Sequence, residues 1–235
     1  MAETRGFFIL QRRFLMKTAI LVDGGFYRRR AQLTIGELTP KKRAEELFSY
    51  CLRHLKEHKQ KHELYRIFYY DCPPMDKNVY HPFLKEQKDF SKTDLYSWMN
   101  EFLDELKKQR KFALRMGKLA DAQACYTIKP DIIKKLYNGK KSFDDLTEKD
   151  FIINVDQKGV DMKIVIDIAS LAYKKQVDQI VLISGDSDFV PAAKLARREG
   201  IDFVLDPLGA NIKEDLFEHI DGLRTCDSKF KPSSK

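Results

Sequence analysis

Apolar residues along the chain fall into short runs separated by longer amphipathic stretches. Lys17–Val22 is a short apolar run ending in Asp23-Gly24-Gly25, the pattern of a buried strand that turns sharply at its C-terminal end. A helix is predicted over about Lys41–Lys61, where Ala44, Leu47, Phe48, Cys51, Leu52 and Leu55 recur at spacings of three and four. Tyr65–Tyr70 reads as a second strand, again closed by an aspartate, Asp71, after which Cys72-Pro73-Pro74 stops regular structure. Ser91–Gln109 has Leu95, Trp98, Met99, Phe102, Leu103 and Leu106 on one helical side, and Phe112–Leu119 is a candidate third strand.

The stretch Ala120–Val155 mixes a helix over Pro130–Tyr137, a polar turn at Asn138-Gly139-Lys140-Lys141 and a charged segment. It is too short to bury its own core and reads as an insertion. The C-terminal third is the most regular: a helix over Asp161–Lys175, a strand at Gln179–Ser184, a helix over Phe189–Glu199, a strand at Ile201–Leu205 and a last helix over Asn211–Ile220. Alternating strands and helices imply an α/β fold, a parallel sheet covered on both faces, with ligand sites beyond the carboxyl ends of the strands. We divide the chain into an N-terminal extension (residues 1–16), one domain (17–225) with its insertion at about 120–155, and a flexible tail (226–235). Met16 is a plausible alternative translation start, and residues 1–15 lack the order of a secretory signal.

Composition narrows the function classes. The 235 residues are 43% hydrophobic and 33% charged, enough for a core and a water-facing surface. No stretch approaches the roughly 20 apolar residues of a membrane span, so no membrane association is expected. Cys51, Cys72, Cys125 and Cys226 are scattered, without the close Cys/His spacing of a zinc site, and reduced thiols in a cytoplasmic protein are the simplest account. A net charge of +8 favours a polyanionic partner.

Against that basic background stands a set of aspartates. Asp23, Asp71, Asp186 and Asp188 follow strand ends, and Asp161 opens a helix after Lys158-Gly159-Val160. A parallel sheet brings such ends to one edge. Like charges there repel by about 4 kcal/mol per pair at about 4 Å and an effective dielectric near 20, so the cluster must take up protons, meet a base or hold a cation. Oxygen-only ligands favour Mg²⁺ or Mn²⁺ over zinc. Each residue also has a structural alternative. Asp71 could close a turn, Asp161 could complement its helix dipole, Asp186 and Asp188 could be a loop residue and a cap, and Lys158 could be an exposed lysine rather than a phosphate contact. Asp167 lies about 240° around the helix from Asp161 at 3.6 residues per turn and is expected to be supporting or structural.

Taken together, Ala19-Ile20-Leu21-Val22-Asp23-Gly24, Lys158-Gly159-Val160-Asp161 and Val181-Leu182-Ile183-Ser184-Gly185-Asp186-Ser187-Asp188-Phe189-Val190-Pro191 resemble the NYN domain in its bacterial LabA-like branch, over about Lys17–Gly222. The resemblance implies a PIN-like three-layer α/β/α fold with a mainly parallel central sheet, and a Mg²⁺- or Mn²⁺-dependent ribonuclease. By motif, Asp23, Asp161, Asp186 and Asp188 look like the catalytic, metal-binding carboxylates. Ser184 would shape the loop, and Gly185 would let the backbone turn tightly. Many members carry an asparagine where this chain has Phe26, so any polar contact that asparagine makes in them is absent here.

The chemistry this implies is endonucleolytic, in-line attack by metal-activated water on single-stranded or loop RNA. Arg28-Arg29-Arg30 and Arg197-Arg198 would grip the backbone, and Phe26 or Tyr27 would stack on bases, unless these are a solvated face and core respectively. Two rivals are weighed. A non-catalytic RNA- or protein-binding module is opposed by carboxylates at all four motif positions. A phosphatase with a nucleophilic aspartate needs a second acid two residues on, where this chain has Gly25. Oligomeric state, a homo-oligomer included, is left open.

Overall fold

A computed structural model describes residues 15–56 and 60–230. The expected extension therefore falls almost wholly outside the described residues, and Met16 already belongs to the first strand. The first half of the chain forms β1 (Met16–Asp23), α1 (Gly24–Thr34), α2 (Pro40–Arg53), β2 (His62–Asp71), β3 (Asn78–His81), β4 (Glu86–Asp89), α3 (Asp94–Lys107) and β5 (Phe112–Met116). Then come β6 (Lys118–Leu119), β7 (Cys125–Ile128), α4 (Pro130–Tyr137), β8 (Phe151–Asn154) and β9 (Gln157–Lys158). The last part is α5 (Val160–Tyr173), β10 (Gln179–Ile183), α6 (Val190–Arg198), β11 (Asp202–Asp206), α7 (Glu214–Glu218) and β12 (Gly222–Leu223).

Six strands form one parallel sheet in the order β12-β11-β10-β1-β2-β5. Helices cover both faces, which is the physical reason Ala19–Val22 and Gln179–Ile183 are buried along their whole length. Successive side chains point to opposite faces. Ala19, Leu21, Ile180 and Leu182 meet α5 and α6, while Ile20, Val22, Val181 and Ile183 join the core under α1, α2 and α3. The fold is the three-layer α/β/α arrangement expected of a PIN-like domain. The chain leaves β1 for β2 and β5 on one side and later returns to β10 and β11 on the other, so the sheet has its topological switch point between β1 and β10.

Several elements differ from the sequence-based expectations. Helix α1 begins immediately after Asp23, where a turn was expected. Apart from Gly24, it fully buries only Tyr27 and Ala31, so it shows almost no apolar periodicity. The helix predicted to Lys61 ends at Arg53, because no apolar residue after Leu55 continues its face. The strand expected over Phe112–Leu119 leaves the sheet at Gly117, and β6 pairs instead with β9 in a separate antiparallel ribbon. The last helix shortens to Glu214–Glu218. Residues 120–155 do not stand alone: their antiparallel β7–β8 pair meets the unforeseen β3–β4 hairpin, with the His81 ring centroid 4.1 Å from Tyr126 and that of Phe83 5.8 Å from Phe151. In the segment expected to be a loose tail, Phe230 is fully buried with its ring 5.0 Å from Tyr50. The remainder of that tail lies outside the described residues.

Candidate active site

The switch point carries the first aspartate. Asp23 ends β1 and caps α1, its Oδ1 accepting from the Phe26 amide at 3.0 Å. Across the gap, the fully buried Ser184 donates from Oγ to Asp23 Oδ2 at 3.2 Å and accepts from the Asp186 amide at 3.3 Å. One hydroxyl thus fastens the loop after β10 to the end of β1. Asp186 in turn accepts from the Asp188 amide at 3.0 Å and caps the short turn Ser187–Phe189, leaving both carboxylates exposed.

Gly185 serves this loop through close approach rather than through an unusual backbone angle. A Cβ there would stand 2.8 Å from Cε2 of Phe26, so the Phe26 ring is seated against it. At Gly159, by contrast, the left-handed φ of +79° turns the chain into α5 and delivers Asp161 to the helix's first turn. No atom lies within 4 Å of a Cβ at Gly159, so Gly159→Ala would incur backbone strain alone. We expect a loss of about 1–2 kcal/mol, measured by urea denaturation, and an unchanged midpoint would refute the strain.

The four motif aspartates are electrostatically linked. Burial, opposed by the Phe26 and Ser184 hydrogen bonds, pushes the Asp23 carboxyl above its usual value, with Asp161 adding to the rise and Arg29 opposing it. Burial and then the charges of Asp186 and Asp188 raise Asp161. No salt bridge among the described residues involves Asp161, Asp186 or Asp188. The donors suit a hard divalent ion, and carboxylates held above their ordinary range are what a cation relieves. Their spacing is open, however. Among the described residues, no three His, Cys, Asp or Glu side chains are gathered closely enough to hold an ion as they stand.

The remaining candidates are distributed as follows. Asp71 reaches the same sheet edge but is fully buried and already satisfied. It accepts from Arg28 Nε and Nη2, each at 2.9 Å, from the Tyr69 hydroxyl at 2.9 Å and from the Cys72 amide at 2.8 Å. Arg28 is thereby committed to Asp71, and Arg30 donates to the Leu208 carbonyl at 2.8 and 3.1 Å. Of the arginine run expected to grip RNA, Arg29 alone is exposed. Arg197 and Arg198 occupy the last turn of α6, at the opposite sheet edge from the carboxylates, and Arg197 pairs with Asp221 at 2.8 Å. Asp167 faces away, accepting from Tyr70 and Arg115 at 2.9 Å each, as its helical angle requires. Lys158 is exposed on β9, three residues before Asp161.

Two participants were not foreseen. Lys213 Nζ donates to Ser187 Oγ at 3.0 Å, bringing a cation to the loop that carries Asp186 and Asp188 from a segment without a motif of its own. Gln157 reaches within 3.7 Å of a Cβ position at Gly25 from the accessory ribbon. Asp206, which closes β11 as Asp71 closes β2, was legible as another strand-end aspartate. It is buried and consumed structurally by Tyr50, His54 Nε2 at 2.9 Å, the Leu208 amide at 2.8 Å and Thr225 at 2.9 Å.

Comparison with known proteins agrees with this architecture. A search of curated proteins finds no match. Among solved structures, the chain is similar to a Vibrio parahaemolyticus protein of unknown function at 14% identity and a TM-score of 0.48, covering 94% of this chain and 99% of that one. That likeness is too weak to carry an argument. The family comparison is decisive: the NYN domain matches residues 17–213. With that span containing every strand of the parallel sheet but β12, and all four linked aspartates, the chain belongs to the NYN domain family.

Proposed function

We propose that this chain is a cytoplasmic, metal-dependent endoribonuclease acting on single-stranded or loop RNA, with Asp23, Asp161, Asp186 and Asp188 holding Mg²⁺ or Mn²⁺. NYN domains are PIN-like nucleases as a family, and the observation that carries the reading here is the electrostatic linkage of these carboxylates at the switch point. When bound, such an ion supplies an activated water and neutralises charge on the phosphodiester. The chain's own part is positional. Ser184 and the Phe26 amide fix Asp23, and Ser184 ties the Asp186 loop to it. Arg29 and Lys213 place positive charge at the rim, where adjacent phosphates would pass. No helix among the described residues is long and apolar enough to cross a membrane. The LabA-like branch belongs to this proposal through the Ser184–Phe189 string.

The open spacing of the carboxylates favours a second reading, a non-catalytic RNA- or protein-binding module. Incubating purified protein with RNA and DNA oligonucleotides, with Mg²⁺ or Mn²⁺ and with chelator, separates the two. The nuclease reading requires RNA cleavage that chelator abolishes.

The acid shifts give a pH signature. Asp23 and Asp161 titrate above 3.8 when folded. Between that value and their raised ones, the folded chain retains protons that the unfolded chain has lost. Their contribution to stability therefore falls as pH rises through that window. A divalent ion needs both groups ionised. Mg²⁺ or Mn²⁺ should raise the thermal midpoint at neutral pH, with the gain shrinking towards about pH 4. A gain of the same size at both pH values would place the ion elsewhere.

A further inference from the structure

A pocket of about 820 Å³ lies between α1, the loop joining it to α2, and the first turns of α3. Leu38, Pro40, Leu95, Trp98 and Met99 provide its apolar lining, and Gln32, Thr39 and the carboxylates of Glu37 and Asp94 bring polar groups to it. The Trp98 ring is a fixed wall. Its Nε1 donates to the Leu38 carbonyl at 3.0 Å, and it stacks on Phe102 with centroids 5.1 Å apart and planes 22° from parallel. Leu95 is 65% exposed, an uncovered apolar side chain on the same helix.

Two arginines join this pocket to the carboxylate edge. Arg28 lines it while bonding Asp71, which follows the strand position registered against Asp23. Arg29 also lines it and lies within electrostatic reach of Asp23. A third, Arg43, is 3% exposed and committed to the protein, its Nη1 ion-paired with Glu46 at 3.5 Å and its Nη2 donating to the Gly36 carbonyl. The pocket therefore offers flat apolar walls, polar and charged side chains at its rim, and a cation shared with the candidate active site. A nucleobase matches this combination, with apolar faces, donors and acceptors on its edge and a phosphate attached.

We propose that this pocket binds a base of the single-stranded RNA whose backbone crosses the carboxylates, with Arg29 contacting the intervening phosphate. The identity of the polymer rests on the nuclease reading. The pocket would thereby set where along the strand cleavage falls.

Trp98 is the only tryptophan of the chain, so its emission reports on this pocket alone. The experiment titrates full-length protein in chelator with single-stranded RNA of about 8 nucleotides, following Trp98 emission and the anisotropy of a labelled strand together. The expected result is a quench that saturates with the anisotropy. An abasic strand of equal length should leave the emission unchanged. Leu95→Asp, at an exposed position where an acid suits the helix start, should weaken binding about tenfold without lowering the unfolding midpoint. Gln32→Ala, also exposed, should weaken it less. Anisotropy without a quench, an equal quench by the abasic strand, unaltered affinity of Leu95→Asp, or no RNA binding at all would each overturn the proposal. Cleavage without a quench would remove the pocket and keep the nuclease; a quench in a chain that never cleaves would do the reverse.

Discussion

Asp186→Asn is expected to abolish metal-dependent RNA cleavage while leaving the fold in place. The substitution preserves shape, and the asparagine side-chain oxygen can still accept from the Asp188 amide, so the turn after β10 retains its cap. What disappears is one of the charges that would hold the ion and that raise the Asp161 carboxyl. Losing a ligand charge at a metal that stabilises a phosphoryl transition state costs about 3–4 kcal/mol, on the order of 10²–10³ in rate. Relief of repulsion acts oppositely on stability, so the variant should unfold no earlier than the natural chain. The informative measurement pairs initial cleavage rates with a melting curve on the same preparation. Equal rates in both proteins would assign the activity to a contaminant and remove Asp186 from the site.

Arg28→Met is expected to destabilise the protein by about 3–5 kcal/mol. Asp71 is fully buried beside a guanidinium that is 26% exposed, and the two make a bidentate pair. Removing the cation leaves the carboxylate with only the Tyr69 hydroxyl and the Cys72 amide, too little to offset a buried charge. Adding Asp71→Asn to Arg28→Met should recover much of the loss, because the group left behind is then neutral. Urea midpoints for the two single variants and the double one would read this out. If Arg28→Met alone proved as stable as the natural chain, Arg28 would be available to RNA after all.

These two residues illustrate what could be read from the chain without coordinates. Asp71 and Asp186 both follow apolar strand runs, and sequence pattern alone treats them alike. The difference lies in Arg28, forty-three positions from Asp71. Whether a carboxylate is paired or left facing solvent depends on which helix crosses above it. Helix α1 was itself hard to see, because its buried face is little more than Tyr27 and Ala31. The arginine run likewise divides by direction: Arg28 and Arg30 turn to protein acceptors, and Arg29 turns outward.

The sequence by itself determined the alternating architecture, the parallel sheet and the aspartates that mark its edge. Apolar periodicity and strand-terminal residues are local signals, set by burial on two faces and by the turns that follow. Tertiary structure alone decided which aspartates remain unpaired, that Ser184 links Asp23 to the Asp186 loop, that Lys213 reaches Ser187, and that a pocket walled by Trp98 opens beside Arg29. Each of these joins residues distant in the chain. Desolvation, charge pairing and cavity shape are properties of the assembled neighbourhood, and no single stretch of sequence contains them.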